Sequence, residues 1–297
     1  MRFLVRSPGY VLTTSKQPPY RIGLTQWHHT DWYAPDHRSA DSLALYSQHF
    51  NSVEGNHSFY GLPSVASVKQ WESQTPDEFR LCFKFPRTIS HSGELLSCDH
   101  LVTEFLQRIE PLGKRIGIVW LQLSQQFTPQ HLTDLDLFLS RLPKHYTYAV
   151  EVRNLRLFDK ADNERLLNQI LMRHQVNRVI FDTRCLFANE SEDDKTLDAK
   201  GKKPRVPTHV IATADQPLVR FISPMDITLA RDALMQWVKK FVQWIDEGKT
   251  PWIFFHTPGN EEAPELALWF SEQLHALSPD IPPVTLWSKE PKQGSLL

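Results

Sequence analysis

Short apolar runs alternate along this chain with longer stretches in which apolar residues recur at helical spacing. The runs at 21–25, 52–56, 79–85, 116–123, 148–153, 178–182, 218–222 and 252–256 read as strands. In 79–85, Leu81, Phe83 and Phe85 share one face while Arg80, Cys82 and Lys84 share the other. Helical patterns lie between the runs. Leu43, Tyr46 and Phe50 mark one within 39–50, and Ser64 is placed to cap a second that carries Val65, Val68 and Trp71. Asp99 precedes a third with Leu101, Phe105 and Ile109, and Pro129 opens a fourth with Leu132, Leu135 and Leu139. Further helices are expected over 163–174, 228–247 and 262–277.

Three stretches lack this grammar. Residues 1–20 read as an extended arm, with one short strand around Phe3 to Arg6. Residues 186–210 show no clean period; an acidic patch (190–194) is followed by a basic one (200–205), which predicts a mobile surface segment. From Ser278 onward there is little regular signal.

Strand and helix patterns joined by short connections predict a parallel sheet covered by helices. Eight such units without a dinucleotide-type glycine loop favour a closed TIM-type (β/α)8 barrel over an open doubly wound sheet. The 297 residues, 41% of them hydrophobic, suffice for one barrel domain of roughly 250 residues. We expect the barrel over 21–277, between the arm (1–20) and a tail (278–297).

Composition narrows the partners. A formal net charge of −1 gives no global field toward nucleic acid or an anionic membrane. Cys82, Cys98 and Cys185 lack zinc-type spacing and suggest no disulfide framework. Phe3-Leu4-Val5 is too short for a signal-peptide core, and no apolar run approaches the roughly 20 residues of a membrane span. The expectation is a soluble cytoplasmic protein.

In such barrels the chemistry sits at the C-terminal strand ends. Those ends offer Trp27, Glu54, Lys84, Gln122, Glu151, Arg153, Asp182, Arg220 and His256, with His91 on a loop beyond the third strand. Unpaired buried charges are costly, so these groups should pair with one another or with a ligand. Glu54 and Glu151 are the expected acid/base groups. Lys84, Arg153 and Arg220 suit a carboxylate or phosphate. Trp27, His91, Gln122, Asp182 and His256 complete the expected binding set, each with an ordinary structural alternative. Asp182, for example, could simply cap a turn. No cofactor signature is present; Glu54, Glu151, Asp182 and His256 offer a less favoured Mg²⁺ or Mn²⁺ set.

At these residues the chain resembles the DUF72 (YecE-like) family of unknown function. The resemblance rests on 22–27, the Val53-Glu54-Gly55-Asn56 segment through Phe59-Tyr60, and Phe79-Arg80 through Lys84, Pro86-Arg87 and His91. It continues through 120–123, 149–153, Thr213-Ala214-Asp215 with 219–221, and Phe254-Phe255 to Pro264. It implies a TIM-type barrel with a polar cleft and matching positions Glu54, Lys84, His91, Gln122, Glu151, Arg153, Asp182 and Arg220, without an established reaction. The chain departs from the family pattern at Gln26-Trp27, Ile222-Ser223 and His256-Thr257. Acid/base chemistry, hydrolytic or isomerising, on a small anionic or sugar-like substrate is the leading expectation. A nucleic-acid-processing barrel and a non-catalytic metabolite binder are the alternatives. Oligomeric state is not readable from the sequence.

Overall fold

Strands that are apolar on both faces must be covered on both sides. The structure meets that demand by rolling the sheet around its own interior. A computed structural model describes residues 18–34 and 36–288. The strands are β1 Arg21–Leu24, β2 Ser52–Gly55, β3 Arg80–Lys84, β4 Ile116–Gln122, β5 Thr147–Glu151, β6 Asn177–Asp182, β7 Leu218–Ile222 and β8 Trp252–His256. All pair in parallel, in the order β1-β8-β7-β6-β5-β4-β3-β2. Outside them run α1 Ser42–Tyr46, α2 Val65–Gln74, α3 Asp99–Ile109, α4 Leu132–Arg141, α5 Asp162–Arg173, α6 Asp194–Lys202, α7 Arg231–Asp246 and α8 Ala263–Leu277. This is the expected (β/α)8 barrel. Among the described residues no helix is long and apolar enough to cross a membrane.

The ring is closed between β1 and β2 by side chains instead of a backbone ladder. Asn51 accepts from the Ile22 N–H at 2.8 Å and donates to the Tyr20 carbonyl at 3.1 Å. The buried Tyr46 hydroxyl accepts from the Leu24 N–H at 2.7 Å and donates to the Ser52 carbonyl at 3.0 Å. Asn56 donates to the Thr25 carbonyl at 2.9 Å. Gly23 permits this approach, since a Cβ there would lie 2.1 Å from the Ser52 carbonyl oxygen.

Alternation along each strand sorts side chains into two cores. Outward residues, such as Leu81, Phe83, Val119, Leu121, Val150, Val219 and Phe255, pack beneath the helices. Inward residues Cys82, Ile118, Trp120, Ala149, Val179, Leu218, Trp252 and Phe254 form a separate apolar plug. The next inward layer, toward the C-terminal ends, is polar.

One stretch differs from expectation in part, and another matches it in lacking regular structure. Within 186–210 the structure holds a helix the sequence did not predict, α6, whose N-cap Asp193 accepts from the Thr196 N–H at 2.8 Å and which buries Thr196 and Ala199; 203–210 contains neither helix nor strand. The stretch from Ser278 to Ser288 contains neither helix nor strand, yet Ile281 and Trp287 are buried. The Trp287 ring packs 4.7 Å from Tyr33 and 6.0 Å from Phe50, covering the β1–β2 side. The short strand expected near Phe3 lies outside the described residues.

Candidate functional site

The polar layer is built by strand parity. Glu54, Lys84, Glu151, Arg220 and His256 all occupy inward positions at or near the ends of their strands, and all are buried. They meet above the plug. Trp120 forms the floor, with Lys84 Nζ 5.0 Å and the Arg220 guanidinium 5.7 Å from its ring centroid. Phe181 supports Arg220 from the side at 4.9 Å.

Arg220 is the hub. Its Nε donates to Glu54 Oε2 at 2.9 Å and its Nη2 to Glu54 Oε1 at 2.7 Å, a bidentate pair. Its Nη1 donates to Glu151 Oε2 at 3.0 Å. Glu54 Oε1 also receives Lys84 Nζ at 2.9 Å, and Oε2 lies 3.3 Å from His256 Nε2. Both Glu54 oxygens are therefore fully engaged. Glu151 Oε1 is held by Arg153 through Nε at 2.8 Å and Nη2 at 2.7 Å. Lys84 Nζ further donates to Asn56 Oδ1 at 2.7 Å.

These contacts fix the charges. Burial alone would raise Glu54, but Arg220, Lys84 and His256 hold it well below the usual carboxylate range. Burial is likewise outweighed at Glu151, where Arg153 and Arg220 bring it to about 2. Burial opposes the Arg220 charge, and Glu54 and Glu151 more than restore it. Lys84 falls to about 8 through burial and the nearby Arg220, against the pull of Glu54 and Glu151. Burial and Lys203 push His256 down to about 3, so its ring is neutral.

Over this network lies a cleft of about 660 Å³, a size suited to a small molecule. Lys84, Arg153, Lys202, Lys203 and Arg220 line it, with Gln122, His256, Asn56, His57, Phe59, Tyr60, Thr25, Gln26 and Asn260. Among the described residues no acidic side chain does: Glu54 and Glu151 lie beneath the cations. The exposed wall is basic even though the whole chain is almost neutral.

Three expected site residues lie elsewhere. Asp182 is the outward neighbour of Phe181 and faces α7. It accepts from Trp237 Nε1 at 2.8 Å, from Arg184 at 2.9 and 3.0 Å, and from Thr208 at 3.3 Å. The four-residue metal set that included it therefore does not assemble. Among the described residues, the His/Cys/Asp/Glu group with donor atoms close enough for an ion is His29, Asp31 and Glu261. Trp27 packs behind the cleft, its ring 5.2 Å from His57 and 6.0 Å from Trp71. His91 lines a neighbouring hollow of about 310 Å³ with Ser124, Phe127 and His131, its ring 5.4 Å from Phe59.

Lys203 is the charged group in contact with this network that was absent from the expected set. It follows the last turn of α6 and reaches into the mouth, Nζ 3.5 Å from His256 Nδ1. Burial, then Arg220 and Lys84, lower its pKa to about 7, with Glu54 pulling the other way. The usable signal was Lys203-Pro204, which ends the helix and turns the chain.

The family model described as "Protein of unknown function DUF72" matches residues 21–290. The UPF0759 protein YecE of Escherichia coli K12 is 45% identical over 275 residues, covering 93% of this chain and 98% of that protein. The UPF0759 protein YunF of Bacillus subtilis is 38% identical over 64 residues, covering 21% of this chain and 23% of that one. A crystal structure of a DUF72 family protein from Enterococcus faecalis superposes with a TM-score of 0.67 at 22% identity, covering 92% of this chain and 99% of that one. One from Thermotoga maritima gives 0.66 at 20% identity, covering 86% and 99%. The structural matches speak to the fold.

Proposed function

The chain belongs to the DUF72 family of proteins of unknown function, and from that premise we propose that its barrel mouth binds a small anionic metabolite and moves protons on it, in a hydrolytic or isomerising reaction. One observation carries this reading: basic side chains line the cleft while both network carboxylates are spent beneath it. A carboxylate or phosphate is the complement of that wall. Arg153 and Arg220 supply guanidinium donors from the side and the floor, and Gln122 and Asn260 add neutral polar contacts at the wall.

Glu54 and Glu151 then serve as fixed charges. A general acid or base works best with a pKa near the operating pH, and both carboxylates are held far below it. Lys84 at about 8 and Lys203 at about 7 are matched to neutral pH, so the proton-moving role passes to the amines.

A thermal-shift panel tests the proposal. Phosphate esters and carboxylates should raise Tm, neutral sugars should not, and Arg153→Gln should reduce the gain. Equal response to charged and neutral compounds, or none to either, would sink it.

A further inference from the structure

Lys203 differs from the other cations of the mouth. Lys84, Arg153 and Arg220 each contact Glu54 or Glu151 within 3.0 Å. Lys203 has instead a neutral imidazole, His256 Nδ1 at 3.5 Å. Both sides of that ring bear on its tautomer. Nε2 lies 3.3 Å from Glu54 Oε2, which can only accept, and 3.4 Å from Arg220 Nη2, which can only donate; with Lys203 donating at Nδ1, the form protonated on Nε2 serves both Glu54 and Lys203. A chain results: the Glu54 carboxylate orients His256, and His256 accepts one N–H of Lys203. Lys203 lines the cleft, where its neighbours Arg220, Lys84 and Arg153 are cationic. A half-buried amine among cations, with no carboxylate paired to it among the described residues, is stabilised as the neutral, nucleophilic form.

We infer that Lys203 is a nucleophile that forms an imine with an anionic carbonyl compound, an aldehyde or ketone bearing a carboxylate or phosphate. This deepens the proposed function and rests on its anion-binding wall. The amine lone pair adds to the carbonyl carbon while the carbonyl oxygen takes up a proton, giving a carbinolamine. That species loses water, and a C=N bond replaces the C=O bond. Arg153 and Arg220 hold the anionic group. The imine withdraws electrons from the adjacent carbon, which makes a C–H there acidic; Lys84, paired with Glu54, takes that proton through its neutral form, about one part in ten at pH 7. A pKa of about 7 keeps about half of the amine neutral at pH 7, against roughly one part in a few thousand for an ordinary lysine.

The test is reductive trapping on the full chain at pH 7. Glyoxylate, an anionic aldehyde, and propanal, a neutral one, are each added with cyanoborohydride, and the modified lysines are mapped by mass spectrometry. The expected result is glyoxylate labelling at Lys203 about tenfold above any other lysine, slower labelling by propanal, competition by inorganic phosphate, and loss of the mouth adduct in Lys203→Met. Labelling spread evenly over surface lysines, or centred on Lys84, overturns the inference. If phosphate raises Tm while Lys203 stays unlabelled, the imine role falls and the anion site stands. If propanal labels Lys203 as fast as glyoxylate and phosphate has no effect, the reactive amine stands and the anionic substrate class falls. The Tm of Lys203→Met, measured in parallel, shows whether the lost adduct reflects the missing amine or a failure to fold.

Discussion

Replacing Glu54 with Gln is the sharpest perturbation of this barrel. The carboxylate is fully buried and receives Arg220 twice, Lys84 once and His256 at the edge. Gln keeps the shape and one acceptor oxygen, but it turns an N–H₂ toward a cation and removes the charge that offsets Lys84. Removing one partner of a buried ion pair costs about 3–5 kcal/mol. Arg220 retains Glu151 at 3.0 Å, so the lower end applies, about 3 kcal/mol. For a domain of this size that corresponds to a Tm loss of about 6–12 °C. The assay is thermal and urea unfolding of wild type, Glu54→Gln, Lys84→Met and the double variant. Because the two groups touch, the double variant should lose about 1–3 kcal/mol less than the sum of the singles. A Glu54→Gln protein within about 0.5 kcal/mol of wild type, or strict additivity, would refute the idea that this carboxylate organises the mouth.

Other outcomes follow from the same contacts. Glu151 binds its proton more weakly folded than unfolded, so its contribution is complete above about pH 4.5 and is lost as pH falls toward about 2. That difference is worth about 3 kcal/mol, and Glu151→Gln should flatten the acid limb of a stability–pH curve by that amount. Gly23→Ala places a methyl against the Ser52 carbonyl and should cost about 3 kcal/mol in urea unfolding, by prising β1 from β2. Asp182→Asn should cost about 1–3 kcal/mol, through weaker bonds to Arg184 and Trp237, and leave the Tm gain from phosphate intact. A reduced gain would return Asp182 to the mouth.

The fold was legible because each strand is an apolar run bounded by turn residues, and the polar layer was legible wherever a charge interrupted such a run. Glu54, Lys84, Glu151 and Arg220 all stood out on that ground. Asp182 was misplaced because its position at the end of a run was weighed without its parity. Phe181 takes the inward place on β6, which turns Asp182 outward to Trp237. Lys203 was hidden in a run of basic residues that reads as a solvated surface; its placement depends on α6 packing Thr196 and Ala199 inward. The β1–β2 closure through Asn51 and Tyr46 depends on contacts between side chains and backbone that no periodicity encodes.

The central claim is that the basic wall over Arg220 is an anion site. A crystal structure of the full chain grown in inorganic phosphate tests it most directly. A phosphate is expected in the cleft, bonded to Arg153 and Lys203 above Arg220. A well-ordered cleft holding only water, with phosphate bound elsewhere on the surface, would contradict it.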